Sequence, residues 1–313
     1  MKRIYPLLLA LCAVVALVAT SRAQSLEDRL REFGLNYATG YTKPIGDAFG
    51  ASLNSGWYST ANVSDGVDIF IGVKAMLLPI PDDARTFTMK SIWDGKAQVI
   101  PTVVGDKTEI PISNTGIFNG RTVSPETYAQ GFDLKTAPMA VPHISIGNFF
   151  GTRLMIRWLP RVPVQNMGDF GFFGIGVQHS ISRYVPALPV DLSAMVAYQS
   201  MTLGDIVTTK AFTIGAQVSK SFSILTLYGG LGYESSTMSF SYTANYTAPN
   251  PNIAADPTHP TITVSEPISF DLTGKNNVRL TVGFAVNLLI LKINADYSLA
   301  AQPVATVGVG IGI

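Results

Sequence analysis

Residues 278–287 read VRLTVGFAVN. Val278, Leu280, Val282, Phe284 and Val286 fall on one side of an extended chain, and Arg279, Thr281, Gly283 and Asn287 fall on the other. Only a β-strand places every second side chain on the same face, so the period of two predicts a strand with one apolar and one polar surface. The next segment, 291–299 (LKINADYSL), repeats the pattern: Leu291, Ile293, Ala295, Tyr297 and Leu299 oppose Lys292, Asn294, Asp296 and Ser298. The chain ends on a third such run, with Val307, Val309, Ile311 and Ile313 against Thr306, Gly308, Gly310 and Gly312.

Working outward, the same alternation fills the chain. Phe212, Ile214, Ala216 and Val218 oppose Thr213, Gly215, Gln217 and Ser219. Leu192, Ala194, Val196 and Tyr198 oppose Asp191, Ser193 and Gln199. Leu154, Ile156 and Trp158 oppose Arg153 and Arg157, while Ile69, Ile71, Val73, Ala75 and Leu77 oppose Asp68, Gly72 and Lys74. A soluble sandwich also alternates. Two features favour a membrane barrel. Several runs approach the ~9–11 residues that cross an outer membrane, longer than a mean globular strand. Their polar faces carry Gly, Ser, Thr, Asn, Gln and charges of both signs, which suits a crowded wet lumen. Tyr184, Tyr198, Phe222, Tyr233 and Tyr297 fall near strand ends, as interfacial girdles require.

Composition agrees. Charged residues make up 14% of the 313, against a typical ~25%, while apolar residues stand at 47%. A net charge of +1 leaves no basic field for nucleic acid, and the apolar content excludes disorder. The expectation is a single antiparallel transmembrane β-barrel of about 12 strands, within a range of 10–14, because residues 84–138 do not divide cleanly. Short links near 219–223, 287–289 and 301–303 are expected to face the periplasm. The long polar stretches 94–138 and 244–266 are expected to face outside.

Residues 1–23 read as a secretory signal peptide: Lys2 and Arg3, an apolar core from Leu7 to Val18, then Ser21-Arg22-Ala23 before a cleavage site at Gln24. The single cysteine, Cys12, lies inside it, so disulfides, Cys–Zn sites and thiol nucleophiles are not expected of the remainder. After it only 25–33 (SLEDRLREF) shows a helical stripe, of Leu26, Leu30 and Phe33. Residues 24–46 therefore form an N-terminal segment, either a plug or a periplasmic tether, and 47–313 form the barrel.

Chemistry-bearing motifs are sparse. No Walker loop, H-E-x-x-H, calcium loop or G-x-S-x-G elbow occurs, and no cofactor or metal is expected. The histidines are His143, His179 and His259. His143 and Ser145 share a strand face, but a hydrolase needs a third group to orient the base, and none is identified. The glycines of 171–176 and 229–232 lie within strands and read as room in the lumen. The candidate lumen-lining residues are Arg153, Arg157, Asp191, Glu234, Arg279, Lys292 and Asp296. They form either a selectivity lining or an ion-pair network closing a narrow pore.

The segments 48–61 (AFGASLNSGWYSTA), 65–83 (DGVDIFIGVKAMLLPIPDD), 102–105 (TVVG) and 141–147 (VPHISIG), with the Gly-rich strands that follow, resemble a family of exported bacterial outer-membrane β-barrels of unknown function. More loosely, an N-terminal helix ahead of Gly-rich strands looks like the long-chain fatty-acid transporters, whose larger 14-stranded barrels carry an N-terminal hatch. The terminal Ile313 departs from the aromatic that commonly ends such barrels. The resemblance implies a bacterial outer-membrane location after export, with membrane lipid and the barrel-assembly machinery as partners. The expected function is binding or passage of a small hydrophobic solute by a barrel that is not an enzyme. A structural or partner-binding barrel is the alternative, and a lipid hydrolase the more distant one.

Overall fold

The computed structural model describes residues 26–63, 68–90, 96–111, 117–118, 121–122, 128–147, 150–164, 168–185, 187–249 and 261–313. The expected signal peptide and cleavage site, and the segment holding His259, lie outside these residues.

A helix, α1 (Leu26–Leu53), precedes β1 (Asp68–Pro79). An insertion follows, with two small hairpins, β2 (Thr86–Lys90) with β3 (Ala97–Pro101) and β4 (Ile117–Phe118) with β5 (Arg121–Thr122). The remaining strands are β6 (Thr136–Gly147), β7 (Thr152–Val164), β8 (Gly168–Ser180), β9 (Asp191–Leu203), β10 (Val207–Phe222), β11 (Leu225–Pro249), β12 (Thr261–Thr273), β13 (Val278–Leu288), β14 (Leu291–Leu299) and β15 (Val304–Gly312).

Each neighbour pairs antiparallel, from β6 through β11, then β13, β14 and β15, and β15 returns to β1. Ten strands thus close a barrel and β12 stands outside it. The expected count of about 12 is corrected to ten in the ring and eleven in the sheet. Two causes explain the difference. The described residues between 84 and 135 build the insertion instead of crossing the barrel. And β12 and β13 lie end to end along one edge of β11, β12 on residues 237–249 and β13 on residues 225–233.

The alternation in the sequence becomes an inverted protein. Val282 is 52% exposed on the outer face while its neighbour Thr281 is 1% exposed inside. The same holds around the ring, where Ile71, Ile175, Val196, Ile214, Leu231 and Val309 are exposed outside. Lys74, Arg157, Gln178, Gln199 and Glu234 are buried inside. A water-soluble sandwich puts its apolar faces in the core. This chain puts them on the perimeter.

The helix is longer than its sequence suggests. In place of a short turn over 25–33 it runs 28 residues, to Leu53, through Pro44 and Gly34, Gly40, Gly46 and Gly50. Such residues cost a free helix about 1–3 kcal/mol apiece relative to Ala. Packing supplies the stability. Tyr37 and Tyr41 stack on one another and Tyr37 on Tyr128, against Phe87 of β2. Ala48, Ala51 and Leu53 pack within the barrel among Met76, Leu78, Leu159, Phe172, Met238 and Leu272.

Candidate functional site

The site is the lumen, and the chain fills it with its own backbone. From α1 the chain descends past successive levels of the wall. Gly46 abuts Leu272 and Gly50 abuts Ser236. Trp57 lies on Gly176, and Tyr58 on Gly230. Ala61 N–H donates to Ser219 Oγ at 2.9 Å, and Asn62 Nδ2 donates to Asp191 Oδ1 at 3.2 Å. Beyond Asn62 the chain reaches Asp68 and turns up as β1.

The small residues of the helix have a geometric reason. A Cβ on Gly50 would stand 2.8 Å from Ser236 Cβ, inside contact distance, so the helix lies backbone-to-wall there. The wall glycines receive the aromatics: a Cβ on Gly176 would meet Trp57 Cζ3 at 2.8 Å, and one on Gly230 would meet Tyr58 Cε2 at 2.8 Å. Gly56, at φ +72°, adopts the left-handed backbone that follows the helix end, where a side chain would crowd Thr306 and Arg157.

Around the helix end the wall supplies the capping groups that α1 lacks. A helix leaves its last carbonyls unpaired and partly negative, and α1 has no basic residue in its last turn. Arg279 Nη2 donates to Ala51 O at 2.9 Å, and its Nη1 donates to Ser55 Oγ at 2.5 Å. Arg157 Nη2 donates to Ser55 O at 2.9 Å and Nη1 to Leu53 O at 3.4 Å. The Arg157 guanidinium also lies 3.8 Å over the Trp57 ring, and Arg157 is fully buried.

All seven lumen-lining candidates lie on the inner face. Arg279 and Glu234 form a fork, with Nε to Oε2 at 2.6 Å and Nη2 to Oε1 at 3.0 Å. Arg153 Nε donates to Asp68 Oδ2 at 3.1 Å, and Lys292 Nζ donates to Asp68 Oδ1 at 3.2 Å, so one acid serves two cations. Asp191 holds Asn62, and Asp296 accepts from Tyr228 OH at 2.9 Å. Arg157 makes no direct bond to a carboxylate among the described residues. Its Nε donates to His143 Nδ1 at 3.1 Å and its Nη1 to Gln199 Oε1 at 3.3 Å.

The sequence reading did not single out Lys74, which donates to Asn294 Oδ1 at 2.5 Å, nor Asn294 Nδ2, which donates to Tyr228 OH at 3.1 Å. Nor did it single out Gln178, which accepts from Arg153 and donates to Thr60 O at 2.7 Å. Their polar-face positions were the available signal, but their partners across the lumen were not. It also missed the apolar side chains that line the lumen. Met76, Met139, Met155, Met195, Met201 and Met238, six of the nine methionines, all point inward.

His143 and Ser145 are both buried on the lumen face. With Nδ1 accepting from Arg157, a neutral His143 carries its proton on Nε2 and has no lone pair left to take one from serine. Among the described residues no three His, Cys, Asp or Glu side chains gather as a metal site.

The chain belongs to the Family of unknown function (DUF6588), whose model matches residues 1–313. None of the curated protein sequences compared with it matches. Among solved structures, it is similar to Ail, the attachment invasion locus protein of Yersinia pestis, in complex with the heparin analogue sucrose octasulfate. The identity is 14% over 80% of this chain and 100% of that one, at a TM-score of 0.25. A mutant of the Rh. blastica porin shows 10% identity over 79% of this chain and 100% of that one, at a TM-score of 0.16. Superpositions that loose carry no argument beyond the geometry above. The looser resemblance to long-chain fatty-acid transporters gains no support from them.

Proposed function

We propose that this member of a family of unknown function is an outer-membrane β-barrel, exported by its N-terminal signal. In this reading its lumen is stopped by its own residues 46–62 and admits a small hydrophobic solute when that segment withdraws. The observation that carries the reading is the inversion of the ten-strand ring, apolar outside and polar inside, around a threaded segment. Only a barrel without edges satisfies its backbone in hydrocarbon, and this ring closes between β1 and β15. The solute class follows from the upper lumen. Met76, Met139, Met201, Met238, Phe172 and Phe240 surround α1 there, and methionine accommodates differing apolar shapes. A structural barrel without transport is the second reading, favoured by the many wall groups that hold residues 51–62.

Membrane fractionation with heat-modifiable gel mobility tests the placement, and a soluble, heat-insensitive protein refutes it. Conductance in planar bilayers tests the gate. The full chain is expected to be closed at rest and to open in brief events when docking of the segment is weakened at Gly50. A weakened segment that never opens the lumen leaves the structural barrel.

A further inference from the structure

The route of the chain through the lumen fixes the side on which the N-terminal half of α1 lies. Leu53 ends the helix at the level of Arg157, near the middle of β7. From Arg157 to the end of β7 at Val164 is at most about 23 Å of strand. The 28 residues of α1 span about 42 Å. The first half of the helix must therefore stand beyond the barrel rim, and its contacts confirm it. Tyr37 and Tyr41 pack on Phe87, Ile100, Val103 and Tyr128, all in the insertion between β1 and β6. Val103 N–H donates to Tyr41 O at 3.0 Å. Lys43 Nζ reaches Thr273 O, at the end of β12, at 3.1 Å.

The two ends of the barrel differ. At the end where α1 enters lie the insertion, the link 300–303 and the β11–β12 ribbon, which leaves β10 at Phe240 and runs on to Pro249, about 30 Å further. The expected periplasmic side of that link is corrected, because β14 runs from the Leu289 turn to the opposite end. At the other end β10 turns into β11 at Ser223-Ile224 and β13 into β14 at Leu289-Ile290, and β15 finishes there beside Ile69. Leu289 is 98% exposed, and Phe150, Phe222, Ile224, Ile290 and Ile313 are exposed near it. Such a rim lies at the membrane boundary and projects no domain into water. Short turns face the periplasm in outer-membrane barrels and long connections face outside.

We infer that the barrel holds the N-terminal half of α1 at the cell surface, on the side of the 80–135 insertion and opposite the C-terminal strand end. The N-terminal half of α1 and the insertion together form the outward head. This rests on the outer-membrane reading above. It departs from a periplasmic tether, in which residues 24–46 would emerge beside Ser223.

The test uses the full chain with Cys12→Ser, so that each added cysteine is the single thiol. Asn36→Cys reports the exposed helix half, Lys107→Cys the insertion and Ser223→Cys the turn end. A membrane-impermeant maleimide is applied to intact cells and to cells with permeabilised outer membranes. Positions 36 and 107 should label equally in intact cells, and position 223 only after permeabilisation. Labelling of 36 with 223, and not with 107, overturns the threading. Labelling of 223 alone in intact cells overturns the orientation. Equal labelling of all three from protein in the medium refutes the outer-membrane reading, and the inference falls with it.

Discussion

Replacing Gly50 by alanine should loosen the segment that stops the lumen without unfolding the barrel. The new Cβ would stand 2.8 Å from Ser236 Cβ, an atom that no side-chain rotation can move, and 4.0 Å from Gly274 Cα. The helix must then retreat from the wall by most of an ångström. Forcing one extra methyl into a packed site costs about 1–3 kcal/mol. If that cost falls on docking alone, the withdrawn population rises about 5–150-fold. Arg157 and Arg279 oppose the retreat, because their bonds to Ala51 O, Leu53 O and Ser55 O are set by the helix position. Ser236→Gly removes both the Cβ and the Oγ, and in the double mutant the methyl has room again. Planar-bilayer recordings should show more open time for Gly50→Ala, and wild-type closure for Gly50→Ala with Ser236→Gly. Heat-modifiable mobility should be unchanged in all three proteins. Equal opening in the single and double mutants would refute the close approach as the cause.

Other consequences follow from the same geometry. Glu234→Gln leaves Arg279 buried with half its fork unmade, which should lower barrel stability in urea refolding by about 3–5 kcal/mol. In the insertion, the hydrogen bond from Arg85 holds the Asp133 carboxyl below its ordinary pKa. A depressed folded pKa contributes stability that is present above the unfolded value, near ~3.9, and is lost as pH falls through the folded one. The near-UV circular dichroism of the Tyr37–Tyr41–Tyr128 stack should therefore fade as pH falls below about 4, and Asp133→Asn should flatten the dependence in that acid range. A photo-cross-linker at position 282 should capture lipid and one at 281 should capture protein, whereas protein capture from 282 would overturn the outward assignment. Val282→Arg should cost about 2–4 kcal/mol, the penalty of a charge at the bilayer midplane.

The barrel was legible because its signal is local. A strand with hydrocarbon on one side and a wet lumen on the other must alternate, so 278–287, 291–299 and 306–313 declare both their conformation and their faces. Strand number was less legible, because a strand that crosses the membrane and one that extends a hairpin beyond it look alike in sequence. Residues 261–273 form β12 on the outer part of β11, and nothing local marks where β12 stops and β13 begins except Gly274 and the three polar residues after it. The helix was illegible beyond Phe33 for the opposite reason. Gly34, Gly40, Pro44, Gly46 and Gly50 remove the intrinsic propensity, and what restores the helix is packing in a cluster whose other members run from Met76 to Val304, far along the chain.

That division also separates the candidate site from the fold. Which charges face inward follows from parity within a strand, so Arg153, Arg157, Asp191, Glu234, Arg279, Lys292 and Asp296 could be named from sequence. Which charge meets which depends on register across several strands and on what occupies the space between them. Glu234 is opposite Thr213 on one side, and its position beyond the β11–β13 ladder leaves Arg279, paired with Gly232, as the donor within reach. Arg157 faces Gly174 on β8, and the space a side chain there would fill is taken by Gln199, an amide instead of an acid. A buried cation with no carboxylate bonded to it would be costly in an empty lumen of low polarity. Here it is satisfied by two helix-end carbonyls, an imidazole nitrogen, an amide oxygen and an aromatic face. Three of those partners, Leu53 O, Ser55 O and the Trp57 ring, belong to the segment, and the charge and the segment therefore stabilise each other: withdrawing one strands the other, which is what makes the helix end the point at which the closed lumen is held.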